Sequence, residues 1–126
     1  RFSVSPCRVL TEGGEAVNPE GIAFYSGLVD ALVEAGITPV VTLYHWDLPQ
    51  WVEDQGGWLD EEASVSFLTA YARAVFEAMG PRVQHYITLN EPWCSSVLGY
   101  GTGFHAPGQR HGLERNVYVA AHNLLL

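Results

Sequence analysis

Basic side chains are scarce in this chain: 6 against 14 acidic ones over 126 residues, for a formal net charge of −8. A nucleic-acid binder needs a basic face that displaces counterions from phosphate, so this balance excludes that class and no nucleic-acid partner is expected. No apolar run approaches the roughly 18 residues that a membrane-spanning helix requires, and no membrane partner is expected either. Cysteine is limited to Cys7 and Cys94, too few and too far apart for a disulfide framework. Both are expected as free thiols, which suits a cytoplasmic setting. The histidines (His45, His85, His105, His111 and His122) lack HExxH or any similar ligand spacing, so no metal is expected.

What is present is globular in character. Hydrophobic residues make up 48% of the chain and charged residues 16%, unlike the low-hydrophobicity, high-charge composition of disordered segments. The length suits one small domain. Arg1 stands directly at an apparent strand, and Leu124-Leu125-Leu126 falls inside an apolar helical pattern without a cap. The expectation is therefore a segment, 1–126, of the N-terminal half of a single larger domain, incomplete at both ends.

The pattern along the chain alternates strand and helix. Phe2 to Ser5 reads as a short strand ended by Pro6, and Thr11 to Ala16 as a loop around Gly13-Gly14. Asn18-Pro19 is a helix start, since Asn caps free N–H groups and Pro fits the first turn. Ile22, Tyr25, Leu28, Val29, Leu32 and Ala35 then recur on one helical face. Gly36 follows as a left-handed cap with Ile37 behind it. Pro39 to Tyr44 is a nearly continuous apolar, β-branched run, the mark of a strand covered on both faces, with Pro39 at its tolerant start. His45 to Leu59 reads as a long loop holding a short helix over Pro49 to Gln55. Asp60 caps a second long helix with Glu61 and Glu62 in its first turn, buried along Phe67, Leu68, Tyr71, Val75 and Met79 and stopped by Gly80-Pro81. Val83 to Leu89 reads as a third strand, Asn90 to Gly112 as another long loop, and a last helix begins near Glu114. Repeated βαβ units imply a parallel sheet and an α/β fold. A segment of a (β/α)8 barrel and an open doubly wound sheet fit this order equally well.

Two polar and aromatic clusters follow strands directly: His45-Trp46-Asp47 after the second and Asn90-Glu91-Pro92-Trp93 after the third. Parallel α/β folds hold their sites at that end of the strands. Sugars suit such a mixture, since hydroxyls need planar polar partners and C–H faces pack on Trp. Glycosidic cleavage needs a proton donor at the leaving oxygen and, with retention, a carboxylate nucleophile about 5 Å away, the donor's pKa being raised by its surroundings.

In RFSVS (1–5), VNPEGIAFY (17–25), VTLYHWDLPQ (41–50), GGWL (56–59), ITLNEPW (87–93) and GYGTGFHAPG (99–108) the chain resembles glycoside hydrolase family 1, the β-glucosidase group, over essentially its whole length. NEP alone is shared with related barrel glycosidases such as endoglucanases; the longer runs together are far more specific. The resemblance implies a TIM barrel, of which this chain supplies about three consecutive strand–helix units. It implies a retaining β-glycosidase, above all a β-glucosidase, acting on a small-molecule β-glycoside or oligosaccharide without cofactor. It implies that Glu91 is the general acid/base, that Asn90 bonds the sugar 2-hydroxyl, and that His45 and Trp46 bind the glycone. Trp93 would form part of the aglycone wall, and Arg1 would hold and ionise the nucleophile. The family's nucleophile is a second Glu in a TENG-type motif, which these residues do not contain, so the segment alone is expected to be inactive. The chain departs from the family's RFSxSWPR at Pro6-Cys7, where the family has Trp-Pro.

Other readings stand beside these. A β-galactosidase, a 6-phospho-β-glycosidase, an endoglucanase and a non-catalytic sugar-binding or folding segment remain alternatives. An isolated Glu after a strand is more often a solvated loop residue, and His45 a satisfied core histidine; their neighbours favour the functional reading. Asp47 is expected to cap the Pro49 helix, and Trp51 and Trp58 to pack the loop. Gly101 to Ala106 matches GxGxxA formally, but Pro107-Gly108 follows where a dinucleotide site requires a helix.

Overall fold

The computed structural model describes residues 1–14 and 16–126, and these alternate strand and helix. The elements are β1 (Phe2–Ser3), α1 (Pro6–Val9), α2 (Pro19–Glu34), β2 (Val40–Tyr44), α3 (Gln50–Glu53), α4 (Glu61–Met79), β3 (His85–Leu89) and α5 (Arg115–Asn123). Single 3₁₀ turns cover Glu12–Gly14, Gly57–Leu59 and Gly80–Arg82, and a π-helix runs over Cys94–Gly101.

Helix boundaries follow from local hydrogen bonding. Asn18 Oδ1 accepts from Glu20 N–H at 3.1 Å at the start of α2, and Asp60 Oδ1 accepts from Ala63 N–H at 2.8 Å at the start of α4. Each satisfies one of the donors that the first helical turn leaves free. At the other end of α2, Gly36 takes φ 72°, Ile37 N–H donates to Leu32 O at 2.8 Å and Gly36 N–H to Val33 O at 3.0 Å. That pair of bonds is the Schellman closure.

The first strand departs from expectation. It stops at Ser3, and Pro6 begins a helix instead of merely ending a strand, because its fixed φ suits a first helical turn. Val4 N–H still donates to Thr42 O at 3.0 Å, extending the pairing by one rung. The loop expected over 11–16 is closed by Thr11 N–H donating to Ala16 O at 2.9 Å and by a bridge between Leu10 and Val17. Glu15 within it lies outside the described residues. Gly21 explains why α2 can lie against α1: a Cβ there would collide with Arg8 O.

The sheet has three parallel strands in the order β1-β2-β3. Ser3 pairs with Thr42, and Tyr44 with Leu89. In β2 the residues Val41, Thr42, Leu43 and Tyr44 are all buried, as the continuous apolar run requires. β1 and β3 are edges, and His85 and Thr88 of β3 are exposed. Three strands in this order do not themselves distinguish a barrel from an open sheet.

The core between sheet and helices joins Val4, Leu43, Val75 and Met79 to Trp58, Phe67 and Tyr71. Tyr71 is fully buried and stacks on Phe67 with centroids 6.0 Å apart. Its hydroxyl lies 2.7 Å from Val4 O and 2.8 Å from Leu43 O, sharing one proton between carbonyls of adjacent strands. Burial drives its pKa strongly upward, so it remains a donor. Tyr71→Phe in the full-length protein is expected to cost about 1–3 kcal/mol, because it leaves buried carbonyls without that partner, as read by urea denaturation. Open strand edges and exposed Leu113, Tyr118, Leu125 and Leu126 need cover from elsewhere. The 126-residue chain expressed alone is expected to aggregate or to melt without cooperativity. A sharp two-state melt of a light-scattering monomer would show that three units suffice.

Candidate active site

Parallel pairing brings the C-terminal ends of the strands to one edge, and both polar clusters lie there. Asn90 N–H donates to Tyr44 O at 2.9 Å, one rung beyond the Tyr44–Leu89 pair. The chain then turns out of each strand sharply. Trp46 and Glu91 are the only non-glycine residues with positive φ among the described residues, at 73° and 42°. A non-glycine side chain held there costs on the order of 1–3 kcal/mol, and such strain concentrates where function needs a side chain aimed.

Trp46 is held from several sides. Its indole N–H donates to Asn90 O at 2.8 Å. Its ring meets His45 edge-on, centroids 4.8 Å apart at 77°, and is tilted over His105 at 5.0 Å. His45 Nδ1 lies 2.7 Å from Ser3 Oγ. Arg1 donates through Nε to Thr42 Oγ1 at 2.9 Å and through Nη2 to Asn90 Oδ1. With Oδ1 occupied by a guanidinium, the Asn90 amide keeps its N–H₂ as the free end. Glu91 is exposed on the open side of the sheet, and Cys94 Sγ donates to its Oε2 at 3.3 Å. Burial, reinforced by the Glu91 carboxylate, raises the Cys94 pKa and keeps it a thiol. Trp93 stands 60% exposed at the rim. Arg1, His45, Trp46, Asn90 and Glu91 thus form one connected cluster, with Trp93 at its edge.

The loops that frame the cluster are tied to each other. Tyr100 Oη donates to Glu53 Oε2 at 2.6 Å and accepts from Trp58 N–H at 3.0 Å. Gln109 bonds the other Glu53 oxygen, and His111 bonds Gln109. Trp58 Nε1 donates to Tyr44 Oη at 3.1 Å, and burial lifts the Tyr44 pKa to about 12. Asn123 Nδ2 reaches Trp58 O at 3.1 Å. Trp58 is therefore the loop-packing residue its composition suggested, and Trp51 lies half-buried against Phe67. The stretch expected as a plain loop from Asn90 to Gly112 contains the Cys94–Gly101 π-helix, an arrangement often found at functional sites.

Asp47 corrects an expectation. Helix α3 is capped by Pro49 with no side-chain bond, and Asp47 Oδ1 is buried with no hydrogen-bond partner among the described residues. Burial, the largest influence, raises its pKa above 3.8. Sequence reasoning also missed Ser3, Thr42, Cys94 and His105 as neighbours of the site. Ser3, Thr42 and His105 lie inside the quoted runs, and Cys94 lies just past ITLNEPW. Ser3 and Thr42 become neighbours through strand register alone.

The model for "Glycosyl hydrolase family 1" matches residues 1–126. The chain is 54% identical over 112 residues to beta-glucosidase 1B of Phanerodontia chrysosporium, covering 86% of this chain and 21% of that protein. It is 47% identical over 128 residues to beta-glucosidase A of Thermotoga maritima, covering 99% of this chain and 27% of that protein. The structure superposes on the Thermotoga maritima beta-glucosidase in complex with methoxycarbonyl-substituted glucoimidazole with TM-score 0.92 at 46% identity, covering 99% of this chain and 28% of that one. It superposes on a Humicola insolens beta-glucosidase in complex with glucose with TM-score 0.93 at 43% identity, covering 99% and 28%. The chain spans about a quarter of the length of these relatives. Their fold is a TIM barrel, so the three parallel strands are a barrel segment and the open-sheet alternative falls.

Asp47 supplies a pH test. Its carboxyl holds its proton more tightly folded than unfolded, so it costs nothing below about pH 3.8, subtracts stability as pH rises from there through the folded pKa, and subtracts no more beyond it. Asp47→Asn in the full-length protein is expected to raise the melting temperature at pH 7, with the gain shrinking in acid. A gain that grows toward low pH would show the opposite shift.

Proposed function

The chain belongs to glycosyl hydrolase family 1, and from that premise we propose that the protein carrying it is a retaining β-glycosidase, above all a β-glucosidase acting on terminal β-D-glucosides. Residues 1–126 would be three of the eight units in the N-terminal half of one barrel domain. Beta-glucosidases stand among the similar relatives beside 1,4-beta-D-glucan glucohydrolases and a lactase/phlorizin hydrolase, which supports a β-glycoside substrate. The observation that carries the reading is Glu91: a carboxylate at the end of β3 in a left-handed turn, exposed on the open side and flanked by Asn90 and Trp46.

The chemistry asks this of each residue. Glu91 protonates the glycosidic oxygen as the C–O bond breaks, then takes a proton from the water that attacks the glycosyl intermediate. The nucleophile is a second carboxylate, supplied by sequence other than these residues. Asn90, fixed by Arg1, donates its amide N–H to the 2-hydroxyl, a contact that strengthens as the oxocarbenium ion forms. His45 and the Trp46 ring seat the glycone, and exposed Trp93 offers a face to the aglycone. Arg1 also carries the positive charge that keeps the nucleophile ionised. No step calls for a metal or cofactor.

Glu91→Gln in the full-length enzyme is expected to lower kcat/KM by about 10²–10⁴-fold on a glucoside with a poor leaving group, and far less on a highly activated aryl glucoside that leaves without protonation. Glu91→Ala should regain activity with added azide and release a β-glycosyl azide, identified by NMR. Equal losses on both substrates, with no azide product, would remove Glu91 from the acid/base role.

A further inference from the structure

We propose that Ser3 is a positioning residue that sets the tautomer of His45, making Nε2–H a donor to one hydroxyl oxygen of the bound sugar. The proposal rests on the glycosidase reading and deepens it.

Three observations carry it. Ser3 Oγ lies 2.7 Å from His45 Nδ1, across a pair of residues brought together by the β1–β2 register. The edge-on contact with Trp46, centroids 4.8 Å apart at 77°, fixes the plane of the same ring. Among the described residues Ser3 Oγ has no other hydrogen-bond partner, and His45 Nε2 has none.

A neutral imidazole carries one proton on one of its two nitrogens. If Nδ1 held it, the ring would donate to Ser3, and the half-buried Ser3 O–H would be left with no acceptor. If Nε2 holds it, Ser3 donates to Nδ1 and the hydroxyl proton is used. The second arrangement avoids an unmade hydrogen bond. Nδ1 is then occupied, the ring is packed against Trp46, and Nε2–H is the free polar group. The sugar hydroxyl that meets His45 therefore acts as acceptor there and keeps its own proton for another partner.

The tautomer alone is read by heteronuclear NMR on the full-length protein with labelled histidine, using His45→Ala for assignment. Wild type should show unprotonated Nδ1 and protonated Nε2 for His45, and Ser3→Ala should give a tautomer mixture. The functional arm compares kcat/KM on a β-glucoside with the matching monodeoxy glucosides. Ser3→Ala is expected to lose about 2-fold on the parent substrate for an even mixture, the inverse of the fraction of His45 left with Nε2 protonated. It should lose almost nothing on the one deoxy substrate to which His45→Ala is also indifferent, and Ser3→Thr should restore the parent rate. A protonated Nδ1 in wild type, a uniform loss across all deoxy substrates, or an unchanged parent rate in Ser3→Ala would each overturn the proposal. An active enzyme indifferent to Ser3→Ala removes this inference alone, whereas a full-length protein that cleaves no β-glycoside removes the glycosidase reading beneath it.

Discussion

The site depends on the parallel registration of β2 with β3, and its last rung is the bond from Asn90 N–H to Tyr44 O at 2.9 Å. That rung stops the two strands at the same level. His45-Trp46 and Asn90-Glu91 then turn out side by side, and Trp46 Nε1 can reach Asn90 O. A register slip of one residue would move every side chain of a strand to the opposite face. The buried run Val41–Tyr44 prevents such a slip, because each of its residues is packed.

Around this rung the protein spends polar groups on rigidity. Tyr71 clamps the carbonyls of Val4 and Leu43, so β1 and β2 are gripped from the helix layer. Tyr100, Glu53 and Trp58 weld the loop after β2 to the loop after β3. Gly57 sits at this weld with φ 54°, where a Cβ would collide with Glu53 and Tyr100. Long loops carry function because a scaffold positions them, and here buried tyrosine hydroxyls do that positioning. A half-satisfied network would be costly in a low-dielectric interior, and each of these hydroxyls has its partner.

Departures from local ease gather at the site. Trp46 and Glu91 adopt backbone angles that glycine accepts far more readily, and the buried Asp47 Oδ1 lacks a partner among the described residues. These costs are tolerable because the surrounding packing over-determines the geometry. They also separate roles that composition alone would merge. Glu53 and Glu91 are both loop carboxylates, yet Glu53 is bound to Tyr100 and Gln109 while Glu91 stands on the open face.

Short-range physics was legible in the residues themselves. Asn18 and Asp60 cap helices through bonds spanning two or three positions, and Gly36 closes α2 within one turn. The β-branched run at 40–44 announced a buried parallel strand, and the motifs around Glu91 and His45 marked the candidate site. By sequence Pro6 suits the end of a strand or the start of a helix, and only the packing of α1 against α2 makes it a start. A carboxylate before a helix is usually a cap, which Asp47 is not, because tertiary burial places it elsewhere. The contacts that orient the site join residues far apart in the chain: Ser3 with His45, Arg1 with Thr42 across 41 positions, and Arg1 with Asn90 across 89. The sequence by itself determined most of the elements and which side chains are candidates for the chemistry, since capping, periodicity and motif are local. Only the tertiary structure decided how those side chains are held, since strand register and burial are properties of the assembled chain.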